Sequence, residues 1–237
     1  MTDGSVSQHK TSANAKKKLS ATHVVASTFG ILVGLAGINH GIFEVLQGNV
    51  VPSSIMIEAI GPAQRFWEYG TETALTVVPS YLFSGLLSIL VGMVVIVWAL
   101  AFMDKKYGSG IFMLLSIILF LVGGGFAPIF MAVLASLTAT RINQPLKFWG
   151  KVLPGFVQRG LAKIWQATLI AFVILFIFSV MIAVFGWPLT MFLDDEHTFG
   201  LLNSISYLMV GLMLLSVLTG FAYDLQQRIE HEPRNHG

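Results

Sequence analysis

The chain has 237 residues, of which 55% are hydrophobic and only 11% charged, with a mean hydropathy of +0.76. A soluble domain carries about 25% charge, so soluble globular, disordered and nucleic-acid-binding classes are excluded. The formal charge of +2 says nothing about partners until it is divided between two sides of a membrane, and the absence of cysteine excludes disulfides, thiolate metal sites and cysteine nucleophiles.

Residues 1–20 are polar and carry Lys16, Lys17 and Lys18. They read as a disordered basic cytoplasmic tail that sets orientation. A basic start before an apolar run also fits a signal peptide, with Gly34-Leu35-Ala36 as its cleavage site. The glycine spacing continues through that site, which argues against cleavage. Segment one covers about 21–47. Gly30, Gly34, Gly37, Gly41 and Gly48 recur at i, i+4, i+7, i+11 and i+18. At about 100° per residue they make one narrow stripe, with His40 and Glu44 at its edge. Such a stripe marks close helix packing or a helix kept slim beside a ligand.

Residues 50–80 form a long loop. Pro52 and Pro62 each stand where a short helix can open, and Phe66, Trp67 and Tyr69 suit a headgroup boundary. Two short interfacial helices are expected there. Segment two, about 79–103, repeats the small-residue face with Gly85, Ser88 and Gly92, and Asp104-Lys105-Lys106 closes it.

Segment three, 111–140, has no charge between Lys106 and Arg141. As one helix it would be about 45 Å long, against a hydrocarbon core of about 30 Å. Gly123-Gly124-Gly125-Phe126-Ala127-Pro128 breaks it in the middle, since glycine and proline disfavour continuous helix. It is either one over-long kinked span or two short arms that enter and return.

Residues 141–163 are basic, broken by Pro145 and Pro154, and interleaved with aromatic and aliphatic side chains, as in an interfacial stretch. In segment four, about 164–187, Trp165 and Trp187 are about 33 Å apart along a helix, one for each interface. Phe172, Phe176 and Phe178 make it the bulkiest segment, so it is expected to face lipid. The acidic loop Asp194-Asp195-Glu196-His197 leads to segment five, about 199–223, and residues 226–237 read as a polar cytoplasmic tail.

Lysine and arginine number four before segment one, one in the long loop, two after segment two, five after segment three, none after segment four and two at the end. A single crossing by segment three divides them 6 and 8. An even number of crossings divides them 13 and 1, the asymmetry that the positive-inside rule requires. The even count puts both termini in the cytoplasm of a cell-membrane protein. Ser80-Tyr81-Leu82-x-x-Gly85-Leu86 and Ser206-Tyr207-Leu208-x-x-Gly211-Leu212 match in five of seven positions. The match suggests two hairpins of one orientation, as in transporters with parallel repeats.

On this topology Glu44, Glu58, Glu68, Glu72, Asp194, Asp195 and Glu196 lie outside, with Arg65 as the one basic residue there. The simplest reading is a solvated acidic rim. The sharper one starts from His40 and Glu44, whose i, i+4 spacing lets them meet. They would form a pocket for a divalent or organic cation, with His197 as a further ligand. A single haem cannot use His23 and His40, which lie near opposite ends of one helix, and His40 with His197 is the one pair left for it. No G-x-S-x-G or G-x-x-x-x-G-K occurs. The glycine run is instead a hinge or re-entrant tip, whose freed backbone must be satisfied in protein or along a wet cavity.

The sequence therefore predicts an all-α integral membrane protein. It is a polytopic helical bundle with four full spans plus a central Gly/Pro-broken segment. The leading function is binding or transport of a small solute or cation through an outward-facing cavity. The alternatives are a non-catalytic membrane subunit and an enzyme acting on lipid headgroups through outer carboxylates. Candidate ligand-binding residues are His40, Glu44, Glu72, Gly123, Gly124 and Gly125, and candidate metal ligands are His40, Glu44 and His197. Candidate packing residues are Gly30, Gly34, Gly37, Gly41, Gly85 and Gly92. No catalytic residue and no cofactor is assigned. The partners implied are the lipid bilayer and, at the glycine faces, a second copy or another membrane subunit; nucleic acid is not among them.

Overall fold

Ser20 opens the first helix, its hydroxyl accepting the His23 amide at 3.1 Å, which satisfies one of the free donors at a helix start. Helix α1 runs Ala21–Leu46, and Gly48 turns the chain out of it at φ +79. The computed structural model describes residues 20–231, so residues 1–19 of the basic tail and residues 232–237 of the polar tail lie outside the described residues. Helix α2, Tyr81–Ala101, is capped in the same way by Ser80. Then come α3 (Gly108–Leu121), α4 (Phe126–Ala139), the short α5 (Lys147–Val152), α6 (Gly155–Phe185) and α7 (Asp195–His231). Four of these, α1, α2, α6 and α7, are long and apolar enough to cross a membrane, while α3 and α4 are shorter apolar helices. The chain is an all-α membrane helical bundle with a broken central segment.

Segment three is two antiparallel arms, not one kinked rod. Gly123 and Gly125 take φ +104 and +85, conformations that a β-carbon resists. Pro128 sits in the first turn of α4, where its missing N–H is not needed. The Ser136 hydroxyl near the end of α4 donates to the Ser109 carbonyl at the start of α3, at 3.0 Å. The tip's freed backbone is satisfied by the long loop: Gly123 N–H donates to Leu75 O at 2.9 Å, and Val77 N–H to Leu121 O at 3.0 Å.

That loop corrects the expectation of two interfacial helices. It holds two strands, β1 (Met56–Glu58) and β2 (Thr73–Leu75), paired antiparallel with Ile57 opposite Ala74. The buried positions alternate, so Ile57, Ala59 and Ala74 form a small core with Tyr81. A period of two fits a strand, not a helix. Pro62 opens only a 3-10 turn, Pro62–Gln64.

Helix α1 is the centre of the bundle. A β-carbon on Gly34 would come within 2.6 Å of the Gly92 carbonyl, and one on Gly41 within 2.6 Å of the Gly85 carbonyl. The seven-residue spacings on α1 and α2 thus meet in antiparallel register. Ser88 adds a hydrogen bond to the Gly37 carbonyl at 3.0 Å. Gly30 faces Ala99 and Phe112, and Gly37 faces Leu119, so the stripe also seats α3.

The α6–α7 hairpin is tied to α1 by hydrogen bonds at one end, while at the other Phe43 of α1 and Val184 of α6 share a buried cluster with Ile60 of the loop. Asp224 on α7 accepts the Ala21 and Thr22 amides at 2.8 and 3.0 Å, an anion at a helix N-terminus. Above that clamp Phe172, 2% exposed, meets Phe29 edge-on at 5.0 Å. Phe172 is therefore core, and the expectation that segment four faces lipid fails for its largest buried side chain. The start of α1 and the end of α7 share one face of the bundle, as an even number of crossings requires. The internal match has no shared structural role: Ser80 caps α2 and Gly85 is packed, whereas Ser206 is inside α7 and a β-carbon on Gly211 would meet nothing.

Candidate functional site

Opposite the Asp224 clamp, the long loop packs against both α1 and the α6–α7 hairpin. Trp67 N–H donates to the Ala183 carbonyl at 3.1 Å, Phe66 meets Phe185 edge-on at 4.8 Å, and Tyr69 stacks on Phe199 at 4.6 Å. The Glu68 amide donates to Asp195 at 3.1 Å. Under this roof lies a cavity of about 590 Å³. Its walls are mostly apolar side chains from α4, α6 and α7, including Met131, Phe176, Met209 and Met213, with the polar Asn203 and Ser206 among them, and its floor is Leu32 and Phe172. Leu35, Phe130, Ile177 and Val210 line it and are also exposed, at 46% or more. The cavity therefore opens onto the apolar perimeter of the bundle.

Its polar end is where the broken segment meets α1. His40 is 3% exposed, and its Nε2 lies 2.5 Å from a carboxyl oxygen of Glu72, whose side chain is 32% exposed. Partial withdrawal from solvent works against the Glu72 carboxylate. The charge and hydrogen bond of His40 outweigh it and hold the group below the ordinary carboxylate range. Asn39, Tyr69 and Thr71 complete this end.

Glu44, one turn further along α1, is fully buried, and neither of its carboxyl oxygens has a hydrogen-bond partner; Nδ1 of His40 has none either. Ser84 stands beside Glu44. The serine's single proton, however, is directed at the Val122 carbonyl (2.9 Å) or the Thr76 hydroxyl (2.7 Å), which leaves the carboxyl without that donor. The glycine run closes over both side chains. A β-carbon on Gly123 would collide with the Glu44 carboxyl, and one on Gly125 would lie 2.5 Å from the His40 ring. Gly124 instead backs onto Leu119.

Of the sequence candidates, His40, Glu44, Glu72, Gly123 and Gly125 come together in one place. The solvated-rim reading fails for His40 and Glu44, which are buried, and holds for the exposed Glu58, Glu68 and Asp194. His197 is not part of the cluster. Its Nδ1 pairs with Asp194 at 2.8 Å on the exposed start of α7, and both the backbone amide and the ring of His197 hold that carboxyl below its usual range. Among the described residues no three His, Cys, Asp or Glu side chains are placed to hold a metal ion.

Sequence reading missed Thr76 and Ser84 behind Glu44, and Asn203 and Ser206 in the cavity wall. Ser84 did carry a signal, since it precedes Gly85 on the small-residue face of α2. A second cavity of about 530 Å³ lies at the other end of the bundle beneath α5, bordered by Arg141, Trp149 and Phe221. No buried polar pair faces it, so the first cavity is the candidate site. Comparison with protein-family models, curated proteins and solved structures returned no match.

Proposed function

We propose that this membrane protein binds a lipophilic ligand that enters its cavity sideways from the bilayer. The observation that carries the reading is the shape and chemistry of the cavity: apolar walls, an opening onto the lipid-facing perimeter, and one polar end at His40 and Glu72. Ligand sites are characteristically apolar concavities with a few placed polar groups. Of the functions the sequence allows, passage of a hydrated cation or polar solute fits less well, because most of the lining offers no group to replace water. An amphipathic molecule fits, with its hydrocarbon part among the methionine and phenylalanine side chains and its head against His40, Glu72 and Asn39. Methionine suits such a wall because its unbranched, polarizable side chain adapts to irregular shapes.

The test is extraction of the protein from its native membrane in lipid-retaining particles, followed by identification of what travels with it. Ala36 lines the cavity, and Ala36→Leu fills it from α1. One lipophilic species should be enriched over the surrounding membrane in the wild type and lost in the variant. An identical lipid complement in the two would remove the basis for the proposal.

A further inference from the structure

Resting on that reading, we infer that the cavity's ligand is a single-chain amphiphile whose head is uncharged and hydrogen-bonding, a hydroxyl or a carbonyl, rather than an anionic or cationic lipid. Three observations carry this. The first is size. At about 30 Å³ for each water-sized unit, 590 Å³ accommodates roughly twenty such groups. That is the volume of one chain with a small head, so a second chain has no room inside and would have to stay out in the bilayer.

The second is charge. No lysine or arginine lines the cavity, so a phosphate, sulfate or carboxylate head would be desolvated without a counter-charge. The titratable groups that line it are His40, Glu72 and Tyr69. His40 Nε2 and a Glu72 carboxyl oxygen stand 2.5 Å apart, so the imidazole already occupies the one carboxylate in the lining that a cationic head would need. Glu44, the other carboxyl nearby, is behind His40 and does not line the cavity.

The third is the hydrogen-bonding inventory. Asn39 and Asn203 supply both donors and acceptors and Tyr69 a hydroxyl, while Thr71 and Ser206, whose protons go to the Ile60 and Leu202 carbonyls, and the Glu72 carboxyl are acceptors. A head that donates, accepts or does both can be satisfied there at no electrostatic cost, which is what a buried polar group needs.

The experiment compares three probes with one chain and different heads: hexadecanol, hexadecyl sulfate and hexadecylamine. Each is titrated against the purified full-length protein in nanodiscs of zwitterionic lipid, in wild type and Ala36→Leu. Hexadecanol should bind saturably and at least tenfold tighter than either charged probe, and Ala36→Leu should weaken it at least tenfold. Glu72→Lys, or Asn39→Lys should the first not fold, should raise hexadecyl sulfate affinity at least tenfold. If the sulfate or the amine matches the alcohol in the wild type, the assignment of a neutral head is overturned while the cavity reading stands. If no probe binds saturably, or if Ala36→Leu changes nothing, the cavity reading itself falls and takes this inference with it.

Discussion

At the scale of single residues, the candidate site depends on two glycines that lack a β-carbon where one would strike the buried Glu44 or His40 side chain. Gly125 has φ +85 and ψ 158, a region that glycine alone occupies without strain. Any side chain there also meets the His40 ring. Gly125→Ala should therefore cost about 1–3 kcal/mol from backbone conformation alone, with displacement of His40 in addition. Gly110, inside α3 with open space around it, is the control, and its change to alanine should be neutral or stabilising by up to about 1 kcal/mol. Thermal unfolding in detergent distinguishes them, and equal melting of the two variants would show that the tip does not press on the histidine. The spacing of His40 and Glu44 on one helix was legible, because i and i+4 share a face. Their burial was not. It comes from the glycine tip and from Glu72, which reach α1 from far along the chain.

At the scale of elements, the glycine stripe of α1 and the small-residue face of α2 form one interface. Opposing backbones approach so closely that carbonyls occupy the space of missing side chains. A carbonyl fixed in a helix cannot move aside as a flexible side chain can, so Gly34→Ala, 2.6 Å from the Gly92 carbonyl, should separate the helices. A loss of about 1–3 kcal/mol is the range for overpacking a close-packed contact. Gly211→Ala on α7, which meets nothing, should be silent. If Gly34→Ala melts no lower than Gly211→Ala, the two helices are held by something other than this contact. The period of the glycines predicts such a face but not its partner. The face is shared between α2 and α3, and only the assembled bundle divides it.

At the scale of the whole molecule, the clamp between Asp224 and the start of α1 places both ends of the described chain at one face, and the loop roof marks the other. Together with the distribution of lysine and arginine, this yields a labelling pattern. Single cysteines in place of Lys106 and Lys151 should react from one side of the membrane, and those in place of Glu68 and Asp195 from the other. An even number of crossings would put 13 of the 14 basic residues on the side of Lys106 and Lys151, so that side is expected to be cytoplasmic. Reaction of positions 68 and 151 from the same side in intact cells would contradict the even number of crossings.

Composition and pattern were sufficient for what depends on local physics. Long uncharged runs can satisfy their backbone in lipid only as helices. A run of three glycines before proline cannot continue a helix. What depends on distant neighbours was decided by the tertiary structure alone. The loop became strands because β1 found β2 as its partner, and the end of β2 accepts a hydrogen bond from the tip after α3. Phe172 turned inward because Phe29 stood opposite it, and His197 stayed at the surface with Asp194. The cavity lies between α1, α4 and the α6–α7 hairpin beside aromatic residues of the loop, and no periodicity in a single segment encodes the distance between two segments.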